Sequence, residues 1–226
     1  MLSLYLQAAF AAFRPFTSGT FRSTAAFITP SAAYGLLLNV AGMEMRKDDG
    51  KSPMTLVASG LPRFKLALGA VEMPLRHVLF QQLHNYPVGA SGKDYAPLTK
   101  GSKYNIAPVK RELLSNIKAS LSMEGDEELE WRIREGLAGR GNRQYGLPFL
   151  GDNNFLVDRL EIRERPEPAY WYEVVTGPSE GPREGVARFT VFIDRQDMSR
   201  TRSLLMAPNP EKTATPPDLA WVEVGY

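Results

Sequence analysis

Between positions 76 and 118, Arg76, Lys93, Lys100, Lys103, Lys110, Arg111 and Lys118 face only Asp94 and Glu112, so seven cations against two acids leave a local charge of +5. The whole chain of 226 residues carries +2. An excess this local means that one face of the molecule, not its entire surface, meets a polyanion. Inside it lies segment 81–111, QQLHNYPVGASGKDYAPLTKGSKYNIAPVKR, where His84, Tyr86, Tyr95 and Tyr104 alternate with the cations. Ammonium and guanidinium groups hold phosphates, and flat rings beside them stack on unpaired bases, a combination suited to single-stranded RNA more than to a duplex groove. The bland alternative is a long solvated loop, although loops of this length are usually functional or disordered.

Other chemistries find little support. With no cysteine there is no disulfide, no thiolate nucleophile and no Cys-ligated zinc or iron-sulfur site, which suits a reducing cytoplasm. Two histidines, His77 and His84, leave little room for a His-rich metal site. Glu127, Glu128 and Glu130 read as a solvated helix face and Asp94 stands among lysines, so no set of converging acids for a metal-dependent nuclease is visible. There is no phosphate-binding GxxxxGK loop, nucleophile elbow or dinucleotide fingerprint, and no cofactor is expected. No apolar run approaches the roughly 20 residues that cross a bilayer. The opening MLSLYLQAAFAAF lacks a basic leader and reads as structure, and the expected location is cytoplasmic.

The elements that must carry the basic segment can be read from hydrophobic period. Leu2, Leu4 and Leu6 alternate with Ser3, Tyr5 and Gln7 as a strand does. Thr29 offers a capping oxygen and Pro30 suits a first turn, while Ala33, Leu36, Leu37, Val40 and Ala41 recur at helical spacing, predicting a helix over 30–41. Segment 43–53 is charged, holds Asp49-Gly50 and reads as a loop. Segment 63–71 alternates as a second strand, which 78–83 extends or follows with a neighbour, and 112–123 reads as a strand with some helical period. Asp126 caps a short acidic helix to Leu137, ended by Gly139 and Gly141, and 155–162 offers a fourth strand. Strand, helix, strand, strand, helix, strand is the ferredoxin-like order shared by RRM modules, and it makes the chain α+β. Three or four further strands, near 170–175, 187–193, 202–206 and 220–224 and separated by Pro and Gly loops, predict a small C-terminal antiparallel sheet packed on the first unit.

Phe13-Arg14-Pro15 after the first strand, TPSAAYGLLLNVAG at 29–42, HNYPVG at 84–89, KGSKYNIAPVKRE at 100–112 and YGLPFLGDN at 145–153 together resemble the Cas-five family of type I CRISPR Cascade complexes, closest to the branch found with type I-B systems. The resemblance spans roughly residues 2–152. It implies a RAMP-superfamily, ferredoxin-like domain over 1–165, with a β-hairpin thumb inserted at about 84–107 and a small C-terminal β-sheet region over 166–226. It implies a subunit that holds the 5′ handle of the guide RNA, caps the backbone filament and contacts the backbone and large subunits, with target DNA near the PAM-proximal end as a further contact.

Candidate RNA-binding positions follow. His84, Asn85, Tyr86, Lys100, Lys103, Tyr104, Asn105, Lys110 and Arg111 belong to the expected thumb and its flanks. Arg14, Thr17, Ser18, Thr20 and Arg22 form a hydroxyl-and-guanidinium loop suited to phosphates, against ordinary loop solvation. Ser31 and Tyr34 open the first helix, whose free N–H groups suit an anion, although simple capping explains Ser31 as well. Gly35 costs a helix about 1 kcal/mol relative to Ala, so either the sheet or the RNA is expected to approach it closely. Arg140, Arg143 and Tyr145 lie in GRGNRQYG, which resembles the family's glycine-rich loop.

One branch of the family cleaves guide precursors without metal, through a Tyr, Lys and His site that drives attack by a 2′-hydroxyl. His84 with Tyr86 or Tyr34 and Lys103 would be its counterparts here, but a lone His before Asn-Tyr-Pro is more often a stacking or hydrogen-bonding residue. The expectation is therefore binding without catalysis. A third reading is a pure protein-interaction scaffold using Tyr170, Trp171, Tyr172, Trp221 and Tyr226, rings that a small sheet's core explains equally well.

Overall fold

Leu2, Leu4 and Leu6 are at most 1% exposed, so the alternation at the start of the chain is that of a central strand with one face on a core. The computed structural model describes residues 1–15, 21–51, 55–87, 104–143, 146–177 and 183–226, those at 83–87 and 104–107 by backbone alone. In chain order its elements begin with β1 (Leu2–Ala11), α1 (Pro30–Val40), β2 (Arg46–Lys47), β3 (Leu56–Val57) and β4 (Phe64–Glu72). Next come β5 (Leu75–Pro87), β6 (Tyr104–Glu124), α2 (Glu127–Leu137), β7 (Phe149–Leu150), β8 (Asp152–Leu156) and β9 (Arg159–Arg163). The last strands are β10 (Tyr170–Val174), β11 (Ala187–Phe192), β12 (Arg202–Pro208) and β13 (Val222–Val224).

The centre of the large sheet runs β4-β6-β1-β9, with every neighbouring pair antiparallel. The chain crosses through α1 between β1 and β4, and through α2 between β6 and β9. Both helices start as their sequences predict: the Thr29 Oγ1 accepts from the Ala32 N–H at 3.3 Å, and the Asp126 Oδ1 from the Leu129 N–H at 2.8 Å. One apolar core joins Leu4 and Leu6 of β1, Leu37 and Val40 of α1, Leu66 of β4, Ile117 and Leu121 of β6, and Leu129 and Ile133 of α2. Fully burying each Leu or Ile is worth about 1.5–3 kcal/mol. The mixed, strand-rich architecture with a large antiparallel sheet is thus α+β.

Several elements differ from the sequence reading. The loop expected at 43–53 contains β2, which pairs with β3. The strand expected over 155–162 is two strands, β8 folded back on β7 and β9 on the edge of β1, parted where the Asp158 N–H bonds the Gln7 carbonyl. The C-terminal strands do not form a sheet packed upon the first. They are hydrogen-bonded into it, because β6 occupies only one edge of β4 and the other is shared by β13 at Phe64 to Leu66 and β10 at Gly69 and Ala70. A bare edge of a central strand would leave its backbone groups unpaired. Gly69 makes the junction possible, since a Cβ there would stand 2.9 Å from the indole of buried Trp171.

β5 and β6 are the two arms of a hairpin, in register from Leu75 opposite Ser115 to Pro87 opposite Tyr104. It leaves the sheet at Asn116, which adopts a left-handed φ of 57° where β6 gives up β4 for β5. Asn tolerates this conformation better than most residues, and its side-chain amide donates to Glu72, which also receives Lys118. The described parts of the basic segment, 81–87 and 104–111, therefore lie on the outer arms of the hairpin.

Candidate nucleic-acid interface

Every third or fourth residue of a helix shares a face, and α1 uses that period twice. Ala33, Leu37 and Val40 are buried against the sheet, whereas Ser31, Gly35 and Asn39 form a small, polar stripe on the other side. This stripe is one wall of a groove of about 510 Å³. Phe13 and Arg14 enter from the end of β1, Glu44 and Arg46 from the segment after α1, Arg143 from the glycine-rich loop and Arg195 from the turn after β11. Four guanidinium groups line it against the single carboxylate of Glu44. Arg46 donates to Glu44 from Nε at 3.0 Å and Nη2 at 3.3 Å. Burial pushes the Glu44 carboxyl up, but these bonds and the Arg46 backbone N–H outweigh it and hold the group below the ordinary value. Arg14 and Arg143 are exposed and make no ion pair with any described residue.

Glycines bring the walls together. A Cβ at Gly42 would stand 2.5 Å from the Asn142 carbonyl oxygen, which lets the glycine-rich loop lie against the end of α1. The Asn39 amide donates to the Gly146 carbonyl at 3.4 Å on the far side of that loop. Gly151 has a left-handed φ of 74°, and a side chain there would overlap the Ala12 carbonyl, so the YGLPFLGDN segment closes on the end of β1. Gly35 behaves differently. A Cβ there would meet nothing within 4 Å, so the sheet does not approach it, and the helix is left with a bare backbone strip facing the groove.

Two described residues after β1 reach different places: Arg14 lines the groove and Arg22 pairs with the hairpin. Arg22 donates from its backbone to the Lys110 carbonyl at 2.9 Å and accepts from the Glu112 N–H at 2.8 Å. The Glu112 carboxylate receives the Thr24 N–H at 3.0 Å and lies 3.5 Å from Arg76. Arg22 and Lys110 are thereby side by side, with Lys110 exposed on the arm. In the hairpin register, Tyr86 is opposite Asn105 and Tyr104 opposite Pro87, while His84 and Asn85 fall where that register shifts. Thr17, Ser18, Thr20, Lys100, Lys103 and Tyr145 lie outside the described residues.

Three candidates have other duties. Tyr34 is fully buried, not at the helix surface: its hydroxyl donates to the Pro62 carbonyl at 3.0 Å and its ring stacks on Phe64, with centroids 5.4 Å apart. Desolvation raises its pKa far above the ordinary phenol value. Tyr34→Phe should cost roughly 1 kcal/mol in a urea titration, the typical net worth of one hydrogen bond. The Arg111 guanidinium is only 12% exposed, ion-paired to Asp152 and seated 5.2 Å from the Phe155 ring centroid. Arg140 is exposed but held at two points by Glu135, at 2.8 and 2.6 Å.

Burial pushes the Asp152 carboxyl up, but the Asn154 N–H and Arg111 outweigh it and hold its pKa below the usual value. A depressed folded-state pKa contributes stability above the unfolded-state value, and that stability is lost as pH falls through the folded one. Asp152→Asn should therefore destabilise the protein by about 1–3 kcal/mol at pH 7. The gap to the parent should shrink below about pH 4, where carboxylates protonate. Urea titrations at several pH values read both numbers, and a gap that is constant with pH would contradict the assignment.

Arg46 and Arg195 are groove residues that no motif signalled, the first inside a segment that read as an ordinary charged loop and the second in a turn. Among the described residues no group of three or more His, Cys, Asp or Glu gathers in metal-binding fashion, and no helix is long and apolar enough to cross a membrane.

No protein-family model matches the chain, and no curated protein matches it. Solved structures do. It is similar to a chain described as "CRISPR RNA-guided surveillance complex", with 15% identity, 97% of this chain and 95% of that one covered, and a TM-score of 0.55. It also aligns with a chain described as "Crystal structure of Cas protein", at 14% identity, with 95% of this chain and 97% of that one covered and a TM-score of 0.47. The likeness to the first is one of fold: over nearly its whole length this chain follows the path of a chain from a CRISPR RNA-guided complex.

Proposed function

We propose that this chain is a Cas-five-type subunit of a type I Cascade complex, of the I-B branch, which binds the 5′ handle of the guide RNA without cutting it. The observation that carries the reading is the groove: four arginines against one carboxylate, floored by a bare helical glycine, on a fold shared with a chain of an RNA-guided complex. Guanidinium groups suit phosphates because their planar forks match the oxygens. The central β4-β6-β1-β9 order with two crossover helices supports a ferredoxin-like RAMP domain, and the β5–β6 hairpin supports a thumb. The handle would run from the groove past Arg22 to the hairpin, where Lys and Arg take phosphates and rings take bases.

Protein partners fit the same molecule. Leu75, Val78, Leu79 and Phe80 on the β5 arm are 51–68% exposed, an apolar surface suited to the backbone or large subunit, with target DNA near the PAM-proximal end as a further contact. Of the two tyrosines that a cleaving site could use, Tyr34 is buried with its hydroxyl on the Pro62 carbonyl, which leaves Tyr86 for that alternative. A cytoplasmic location follows from this role. The test is co-purification from native cells with a tagged backbone subunit, followed by sequencing of the bound RNA and its 5′ end. RNA that crosslinks outside residues 14–46, 84–151 and 193–195, or no RNA at all, would end the reading.

A further inference from the structure

β1 pairs with β6 as far as Ala11, opposite Leu114, and then leaves it, the Ala12 N–H turning to the Leu150 carbonyl at 3.3 Å. A second segment takes the vacated place beside β6. Arg22 is bridged in parallel to Arg111, and Thr24, two residues on, touches both sides of the gap. The Thr24 N–H donates to Glu112 Oε2 on the hairpin at 3.0 Å, and its Oγ1 accepts from the Phe13 N–H on the departing chain at 2.9 Å. The Ala25 N–H closes on the Phe13 carbonyl at 2.7 Å. Phe13 is thereby held through both of its backbone groups, and Thr24 and Phe13 are only 4% and 2% exposed.

The residue that follows Phe13 is Arg14, exposed and on the wall of the groove. Its backbone is restricted from both sides. Phe13 before it is pinned, and Pro15 after it confines the preceding residue to an extended conformation. A ligand that grips a mobile arginine must first order it, and a backbone already aimed at the groove removes part of that cost. Resting on the reading of the groove as an RNA site, we propose that Thr24, held in place by Glu112, is a positioning residue for that site: its hydroxyl turns the chain after β1 out of the sheet and aims Arg14 at a phosphate of the bound strand. Thr24 is buried and touches no RNA itself. It acts through Arg14.

The experiment titrates the co-purifying RNA with the full-length protein by filter binding between about 50 and 200 mM salt. Thr24→Val keeps the side chain's outline and removes the acceptor of the Phe13 N–H. It should weaken binding at least about tenfold, the effect of losing one charge-assisted hydrogen bond. The logarithmic salt slope should become shallower by about 0.7, one phosphate contact, although the substitution removes no charge. Thr24→Ser keeps the hydroxyl and should bind as the parent does. Arg14→Ala should show the same loss and the same change of slope, and adding Thr24→Val to it should do nothing more, because the contact that Thr24 aims is already gone. A hydroxyl with a merely structural role would lower the melting temperature, leave the slope alone and add its effect to that of Arg14→Ala. Should Thr24→Val fold poorly, Glu112→Leu combined with Arg76→Ala removes the acceptor of the Thr24 N–H together with the charge beside it. Compared with Arg76→Ala alone, it makes the same test through the same pairing with Arg14→Ala. If the parent binds RNA but the slope survives Thr24→Val, or the losses add, the positioning role is overturned while the RNA reading stands. An Arg14→Ala protein that binds as tightly as its parent overturns it equally. If the parent binds no RNA, both readings fall together.

Discussion

Arg14→Glu combined with Arg143→Glu should weaken binding of handle RNA by at least about a hundredfold while leaving the unfolding midpoint nearly unchanged. Both side chains are exposed and lack ion-pair partners among the described residues, so folding draws nothing from them. Hydrogen bonds to charged groups are worth about 1.5–3 kcal/mol each, so losing two removes about 3 kcal/mol or more before the repulsion of the new carboxylates is added. The salt dependence should change in step. For a single strand the logarithmic slope falls by about 0.7 for every phosphate no longer neutralised, so the double variant should be shallower by about 1.4. Filter binding between about 50 and 200 mM salt reads both quantities. Arg140→Glu is the matched control, because its guanidinium is already occupied by Glu135 and should matter less. Equal losses for Arg140 and for the groove pair would show that general positive charge, not the groove, attracts the RNA.

Gly136→Ala should lower the melting temperature by about 4–8 °C, although helix propensity alone argues the other way. Ala is favoured over Gly in a helix interior by about 1 kcal/mol. Here the missing side chain is what lets α2 touch α1, since a Cβ would overlap the Val40 carbonyl oxygen and crowd the Val40 side chain. A backbone carbonyl cannot swing aside as a side-chain tip can, so the two helices must separate. Overpacking of this kind costs typically 1–3 kcal/mol, occasionally more, and this case belongs at the upper end. A net loss of about 2 kcal/mol corresponds to that temperature shift in a chain of this size. The same displacement would move the stripe of Ser31, Gly35 and Asn39, so RNA affinity should fall even well below the melting temperature. A Gly136→Ala protein as stable as its parent would contradict this contact.

The local elements were legible because their signals are local. Thr29 and Asp126 cap the helices they precede, and the alternation from Leu2 onward marks the face of β1 that is buried. The strand ending near 123 was harder, because Leu114, Ile117 and Leu121 fit two periods; the left-handed Asn116 between them breaks the strand's alternation and explains the ambiguity. The break between β8 and β9 left no trace, since no Gly or Pro marks it and it depends on which strand offers a free edge. Likewise, Pro and Gly loops suggested an independent C-terminal sheet, whereas the edge of β4 drew those strands into one continuous structure.

For the candidate site the division is sharper. Residue types alone located a local excess of cations and rings, named the loop at 14–22 and drew attention to a glycine inside a helix, because charge, planarity and missing Cβ atoms are properties of single residues; the glycine-rich segment stood out through its resemblance to a family. Which of those residues face one another is decided only when distant segments pack. Tyr34 and Arg111 look like ligands in sequence but are taken up by Pro62, Phe64 and Asp152, whereas Arg46 and Arg195, unremarkable in sequence, are carried to the wall of the groove. Side chains of one type are spent on burial or left for a ligand according to the neighbours that folding provides, and those neighbours lie tens of residues away along the chain.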